Sequence, residues 1–133
     1  MIQYLFDTDI LSYLMRRQFA TLQARFIQTP PAQCAISAIT CAEILFGLES
    51  QAPGHANRLR ALAFLESISI LDWPADATPH YARIRYTTRH QPLHERDTMI
   101  AAHAIALGAT LVTNNTKHFA RIGNGLKFEN WLW

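Results

Sequence analysis

Residues 2–7 read IQYLFD, and the first strand is predicted within them at residues 3–6. This short, mostly apolar run is typical of a buried strand, and it ends on an acid, Asp7. A helical pattern follows at about residues 10–16, and Thr8 or Asp9 is predicted to cap that helix. A strand that leads directly into a helix is the repeating unit of an α/β fold.

The alternation of strand and helix continues along the sequence. Further strands are predicted at residues 34–38, 68–71, 109–113 and 126–131, and helices at residues 19–28, 41–50, 56–67, 76–90, 96–107 and 116–121. This order predicts a three-layer α/β fold, in which a central, mainly parallel sheet is flanked by helices. Since 133 residues of which half are hydrophobic suit one compact unit, we expect a single domain over residues 1–133.

Composition and charge set wide limits on function. A formal net charge of +2 permits an anionic partner without requiring one. Ten of the 12 basic residues are arginines, whose planar guanidinium groups suit phosphate better than lysine does. No apolar stretch approaches the ~20 residues that span a bilayer, and no signal peptide is visible. We therefore expect a cytoplasmic protein without a membrane partner.

Three acids lie in apolar surroundings at separate places in the sequence. Asp7 follows the first strand, Glu43 lies near the start of the helix predicted at 41–50, and Asp97 lies in the first turn of the helix predicted at 96–107. A carboxylate removed from water needs a proton, a partner or a cation. Because sites in open parallel sheets form at the carboxyl ends of the strands, these acids predict a divalent metal site if they converge there.

Each acid also has an ordinary structural explanation. Thr40 and Glu43 match the spacing of a capping box, in which the glutamate bonds the backbone of the cap residue. Asp7 suits a helix cap, and Asp97 is favourable near the positive end of a helix dipole.

Three other positions carry predictions about burial and helix ends. Leu45 and its apolar neighbours predict that the helix after Glu43 is largely buried. His103 lies in an apolar helical segment and is predicted to be a packed, hydrogen-bonded core histidine. Gly108 follows the same segment and is predicted to end its helix.

Four ordered blocks resemble the successive signatures of PIN-domain ribonucleases, and the VapC toxin group is the most similar. The blocks read FDTDILS at residues 6–12, ISAITCAEILFG at 36–47, DTMIAAHA at 97–104 and LVTNNTKHF at 111–119. Together they span nearly the whole chain. The resemblance implies a PIN-like fold and an endoribonuclease that uses Mg2+ or Mn2+ to activate a water molecule, with transfer RNA as the family-based expectation for the substrate.

The resemblance also implies roles for individual residues. Asp7 and Asp97 match the metal ligands, and Glu43 matches a third catalytic acid that contacts the ion directly or one layer further out. Asn115 stands where many PIN domains carry a fourth acid, so it implies at most a weak, outer contact and favours one strongly held ion over two. Glu95, which follows a segment unlike the family's usual turn, is expected to be exposed. The candidate RNA-binding side chains are Arg16, Arg85 and Arg89.

A VapC-like toxin implies a set of partners. These are a cognate VapB-like antitoxin whose tail lies over the acidic site, an RNA substrate, and either a homodimer or a toxin–antitoxin hetero-oligomer. Promoter DNA is expected to bind only through the antitoxin.

Two alternatives stay open from the sequence. A non-catalytic PIN-fold module that binds RNA or protein would explain Asn115 as a sign of lost activity, but retention of the three acids argues against it. A phosphatase of the haloacid-dehalogenase type would use Asp7 and Asp9 as its Asp-x-Asp motif. The segment after Thr113 lacks the paired aspartates which that enzyme needs.

Overall fold

The computed structural model describes residues 1–123 and 125–133. In these residues the chain forms five strands and seven α-helices, with 3-10 turns at Pro31–Gln33 and Ala75–Ala77. The strands are β1 (Tyr4–Phe6), β2 (Cys34–Ser37), β3 (Ser69–Leu71), β4 (Thr110–Val112) and β5 (Lys127–Glu129). The helices are α1 (Thr8–Met15), α2 (Ala20–Gln28), α3 (Ala38–Leu48), α4 (Ala56–Ser67), α5 (Thr78–Thr87), α6 (Glu95–Leu107) and α7 (Thr116–Ala120). None of these helices has both the length and the apolar character needed to cross a bilayer.

The five strands form one parallel sheet in the order β3-β2-β1-β4-β5. β1 is central and pairs with β2 on one side and β4 on the other. The chain builds the sheet outward from β1 to β3 and then returns to the far side of β1, so the direction of winding reverses between β1 and β4. Ligand sites in such sheets form at the carboxyl ends of the strands beside this reversal.

Alternating side chains on the strands form two apolar cores, one on each face of the sheet. Phe6 and Val112 pack under α1 to α4, whereas their neighbours Leu5 and Leu111 pack under α5 to α7, and all four are fully buried. Full burial of such a side chain contributes about 1.5–3 kcal/mol. The predicted three-layer α/β fold is therefore confirmed, with helices on both faces of a fully parallel sheet.

The start of α1 differs from the sequence prediction. Asp7 is the N-cap, and its Oδ1 accepts a hydrogen bond from the backbone N–H of Ile10 at 2.9 Å. The prediction of Thr8 or Asp9 as the cap is wrong, because the helix begins directly after the strand. The same carboxylate therefore ends β1 and caps α1, which fixes it at the carboxyl edge of the sheet.

The start of α3 also differs, and the difference decides the role of Glu43. α3 begins at Ala38 rather than at residue 41, and Ser37 is its N-cap, with Oγ accepting from the N–H of Ile39 at 3.1 Å. Glu43 therefore lies in the second turn of the helix. The capping-box explanation with Thr40 is wrong, and the side chain of Glu43 is left for another purpose.

Candidate functional site

An open cavity of about 230 Å3 lies at the carboxyl edge of the central strands. It is lined by residues that follow β1, by one residue of α3 and by the start of α6: Asp7, Thr8, Asp9, Glu43, His94, Arg96 and Asp97. The structure thus brings together the three acids that the sequence singled out and adds a fourth, Asp9. We refer to this space as the acidic cavity.

Asp7 is the most deeply buried of these acids, with 5% of its surface exposed. Burial raises the pKa of its carboxyl to about 7, and the negative charges of Asp9 and Asp97 add to the shift. Hydrogen bonds from Thr113 and from the N–H of Ile10 act in the opposite direction. No positively charged side chain of the described residues forms an ion pair with Asp7. A bound cation would therefore stabilise the charged form.

Asp97 lies in the first turn of α6, opposite a histidine of α7. Burial raises the pKa of its carboxyl, and the charge of His118 is the largest opposing influence. His118 Nε2 lies 3.3 Å from Asp97 Oδ2, which is an ion-pair distance without hydrogen-bond geometry. His118 could not be identified from the sequence, because its spacing from Asp97 carries no local signal. The pairing exists only once α6 packs against β4 and α7 packs against the neighbouring strand β5.

Both carboxylate oxygens of Glu43 have partners. Thr8 Oγ1 donates to Oε1 at 2.9 Å, and Arg96 Nε lies 2.8 Å from Oε2. The Glu43 side chain is only 18% exposed, so this pair lies partly out of water. The role of Arg96 was missed from the sequence, although a signal was present. A cation in the first turn of a helix is unfavourable against the helix dipole, which indicates a compensating acid elsewhere.

The donor set of the acidic cavity fits a divalent cation that binds oxygen, such as Mg2+. Asp7 and Asp97 are acids partly or fully removed from water, and the charge of Asp97 raises the pKa of Asp7, as expected where a cation is needed. Among the described residues, no group of three or more His, Cys, Asp or Glu side chains is placed to hold a metal ion by itself. Mg2+ commonly binds through one or two carboxylates and completes its shell with water and substrate phosphate. The residues present fit that pattern better than a closed structural site.

Asn115 lies outside the acidic cavity. It is exposed, and its backbone N–H donates to Thr113 Oγ1 at 3.0 Å. The residue after β4 that contacts the acids is Thr113, which is fully buried and hydrogen-bonded to Asp7. A weak outer contact by Asn115 stays a prediction.

The candidate RNA-binding arginines line two different depressions. Arg16 and Arg60 line a groove between α1 and α4, and this groove shares Thr8 and Glu43 with the acidic cavity. A separate pocket at the α5–α6 connection is lined in part by Arg85, Arg89 and Glu95. The exposure that the sequence predicted for Glu95 is confirmed; its Oε1 accepts from the hydroxyl of Tyr81 at 3.0 Å.

His103 is buried in α6, with 1% of its surface exposed, as predicted. The expectation that it is hydrogen-bonded is wrong, because neither ring nitrogen has a partner in residues 1–123 and 125–133. Burial lowers the pKa of its imidazole. The alanines on both sides, Ala102 and Ala104, are fully buried in the apolar core on this face of the sheet.

The chain was compared with models of known protein families, and the result agrees with the fold and the acidic cavity. The model of the PIN domain matches residues 4–125. The tRNA(fMet)-specific endonuclease VapC of Shigella flexneri is 34% identical over 133 residues, covering 98% of this chain and 99% of that protein.

Comparison with solved structures identifies the same class of protein. VapBC2 from Rickettsia felis, in a crystal structure bound to a DNA fragment from the promoter, matches with a TM-score of 0.85 at 32% identity over 98% of this chain and 99% of that one. VapBC-1 from nontypeable Haemophilus influenzae matches with a TM-score of 0.85 at 30% identity over the full length of both chains. The chain belongs to the PIN-domain family and, within it, to the VapC ribonucleases. The comparisons favour neither the phosphatase nor the non-catalytic alternative.

Proposed function

We propose that this chain is a metal-dependent endoribonuclease that cleaves RNA at the acidic cavity and acts as the toxin of a toxin–antitoxin pair. The observation that supports this most strongly is Asp7. A buried carboxyl with a pKa of about 7, placed beside Asp9 and Asp97 and without a cationic partner in the described residues, is an unfavourable arrangement unless it has a function. Together with family membership, it favours metal-assisted phosphodiester hydrolysis.

Asp7 and Asp97 are the proposed ligands of Mg2+ or Mn2+. When bound, such an ion lowers the pKa of a coordinated water and offsets charge on the phosphate. Other residues of the chain hold these two acids in position. Asp7 is held by the N–H of Ile10 and by Thr113, and Asp97 is held at the start of α6 facing His118. One ionised acid of the cavity accepts the proton released by the attacking water.

The groove between α1 and α4 is the proposed path of the RNA backbone away from the cleaved bond. It continues from the acidic cavity through Thr8 and Glu43. Arg16 and Arg60 line it and are exposed, and their guanidinium groups have no hydrogen bond or ion pair with the described residues. Unpaired guanidinium groups beside an acidic cavity suit the phosphates of a single strand. Arg85 and Arg89 would contact a more distant part of the same RNA.

The partners of the relatives suggest the partners of this chain. The Rickettsia felis and Haemophilus influenzae structures are VapBC complexes, and the former is bound to promoter DNA. We propose that an antitoxin covers this chain's acidic cavity and that promoter DNA binds through that antitoxin. The name of the Shigella flexneri relative makes initiator transfer RNA the first substrate to test.

Purified protein and an in vitro transcript of initiator transfer RNA test the proposal. Cleavage is expected with Mg2+ and not with EDTA, and Asp97→Asn should lower the rate by about 10²–10³-fold. The exposed arginine Arg83, on α5, provides a control, because Arg83→Ala removes a charge that lies outside the cavity and the groove. If Asp97→Asn cleaves as fast as the parent, or EDTA has no effect, the assignment is wrong.

A further inference from the structure

The carboxylate of Glu43 is bound by other side chains of the protein and is not free in the cavity. Oε1 accepts from Thr8 at 2.9 Å, and Oε2 pairs with Arg96 at 2.8 Å. Direct coordination of an ion by Glu43 would require breaking a charged pair that is partly shielded from water. Such charge-assisted contacts are among the stronger hydrogen bonds in proteins. Glu43 is therefore better placed to hold Arg96 than to bind metal.

Arg96 is held so that one end of its guanidinium stays free. Nε binds Glu43, and Nη2 lies 3.1 Å from His94 Nε2. The backbone N–H of Arg96 also donates to His94 Nδ1 at 3.2 Å, which fixes the residue at the start of α6. Within the described residues, Nη1 has no partner, and the side chain is 49% exposed at the acidic cavity.

Electrostatics explains why a cation is needed at this position. Four acids line a cavity that must admit a phosphodiester, which is itself negative. A divalent ion between Asp7 and Asp97 would offset part of this charge. The guanidinium of Arg96 offsets Glu43 and presents a second cationic group beside Asp97.

We propose that Arg96 binds a phosphate oxygen of the cleaved bond through its free Nη1 and that Glu43 is the positioning residue that aims it. This rests on the proposed ribonuclease function. The geometry needs a guanidinium, because one nitrogen must bind Glu43 while another reaches the phosphate. A lysine ammonium has a single nitrogen and cannot occupy both positions.

The main test compares Arg96→Lys with Arg83→Lys, a matched change at an exposed arginine outside the cavity. In the parent background, Arg96→Lys should lower kcat/KM for initiator transfer RNA by about 100-fold, while Arg83→Lys should stay within about twofold. In an Asp7→Asn background with EDTA, fluorescence anisotropy should show about tenfold weaker RNA binding for Arg96→Lys. Thermal unfolding confirms that each variant folds.

Two further measurements separate this role from metal binding. Mn2+ titration should give affinities for Glu43→Gln and Arg96→Lys within about threefold of the parent, because neither side chain is a proposed ligand in this scheme. Glu43→Gln should weaken RNA binding in the Asp7→Asn background and add little when Arg96→Lys is already present, as expected of two residues that act together.

Several outcomes would overturn the inference while leaving the ribonuclease assignment intact. One is an Arg96→Lys variant whose kcat/KM equals that of a parent that cleaves the RNA. Another is a loss of more than about tenfold in Mn2+ affinity for Glu43→Gln, which would make Glu43 a ligand. A third is tighter Mn2+ binding and faster cleavage for Arg96→Ala, which would make Arg96 a competitor of the ion. A parent that neither binds nor cleaves the RNA overturns the ribonuclease assignment and this inference with it.

Discussion

Asp7 caps α1 and also lines the acidic cavity, so one side chain serves both the helix and the site. Its folded-state pKa of about 7 lies above the ordinary value of 3.8. In the absence of metal, the folded protein therefore binds more protons than the unfolded chain between about pH 4 and pH 7. Stability that depends on protonated Asp7 is present at low pH and is lost as the pH rises through about 7.

The variant Asp7→Asn should separate stability from activity. Its amide oxygen still accepts from Ile10, but the side chain carries no charge at any pH. With EDTA at pH 8, we expect chemical denaturation to show higher stability than the parent, by no more than about 4 kcal/mol, and near equality at pH 4. Mg2+ should stabilise only the parent, and the variant should not cleave RNA. If the parent and Asp7→Asn were equally stable at pH 8, Asp7 would not carry a buried, unpaired charge.

His103 gives the opposite pH dependence. Because burial lowers the pKa of its imidazole, the unfolded chain takes up a proton more readily than the folded protein as the pH falls below about 6.5. The contribution of neutral His103 to stability is therefore present above that pH and is lost in acid. His103→Leu removes both unpaired ring nitrogens at similar volume. We expect a gain of about 1 kcal/mol at pH 5 and less at pH 8, measured by urea denaturation.

The substitution His103→Asn provides the comparison, because it keeps polar atoms in the same apolar surroundings and should destabilise at both pH values. If His103→Leu loses stability at pH 5, the ring has a packing role that its unpaired nitrogens do not reveal. The helical spacing in the sequence predicts that this residue is buried. The missing hydrogen bonds were not predictable, because they depend on neighbours from other elements.

The acids of the cavity show the same limit, because contacts with residues of other elements are not predictable from the sequence. From their apolar surroundings, Asp7, Glu43 and Asp97 predicted a metal site on the condition that they converge, and the structure brings them to one cavity. Their partners were not predictable. Arg96 and Thr8 contact Glu43 only because α1, α3 and α6 start at the same edge of the sheet.

At the scale of the helix, α6 ends at a residue that needs a left-handed backbone. Gly108 has φ of 67° and follows the last turn of α6, as its position after the apolar segment predicted. Gly108→Ala should cost about 1 kcal/mol, since open space surrounds the site and only backbone strain acts. Gly47→Ala is the matched control. That glycine lies inside α3, also in open space, so alanine there should stabilise by about 0.5–1 kcal/mol. Thermal unfolding of both variants measures the difference in stability. If Gly108→Ala left the stability unchanged, the left-handed backbone at this position would not be strained by a side chain.

Element boundaries were predictable where strong local signals exist. Gly108 marks the end of α6, and the predicted helix at 56–67 matches α4. The start of α3 was missed because Thr40 and Glu43 match the spacing of a capping box, which placed the start of the helix at residue 41. Ser37 is a favoured cap residue, and this weaker signal decides the actual boundary once β2 pairs with β1 and β3.

At the scale of the whole molecule, alternating strands and helices predicted the layers but not the strand order. The reversal between β1 and β4 places Asp7 at the switch point, and it follows from long-range pairing that local patterns do not carry. The sequence also predicted a buried face for Leu45. This was wrong: Leu45 is 42% exposed and its neighbour Phe46 is 78% exposed.

These two side chains form an apolar surface patch beside an open cavity of about 460 Å3 between α3 and α4. Exposed apolar patches indicate partner surfaces, and the solved relatives from Rickettsia felis and Haemophilus influenzae are VapBC complexes. We expect Phe46→Ser to weaken binding of the proposed antitoxin partner by at least about tenfold, measured by calorimetry, with RNA cleavage unchanged. Ile27→Ser, at an 80% exposed position on α2 away from the patch, is the control and should bind normally. Equal affinities for the two variants would exclude the patch as an antitoxin contact. Loss of self-association with normal antitoxin affinity would assign it to a second copy of the chain instead.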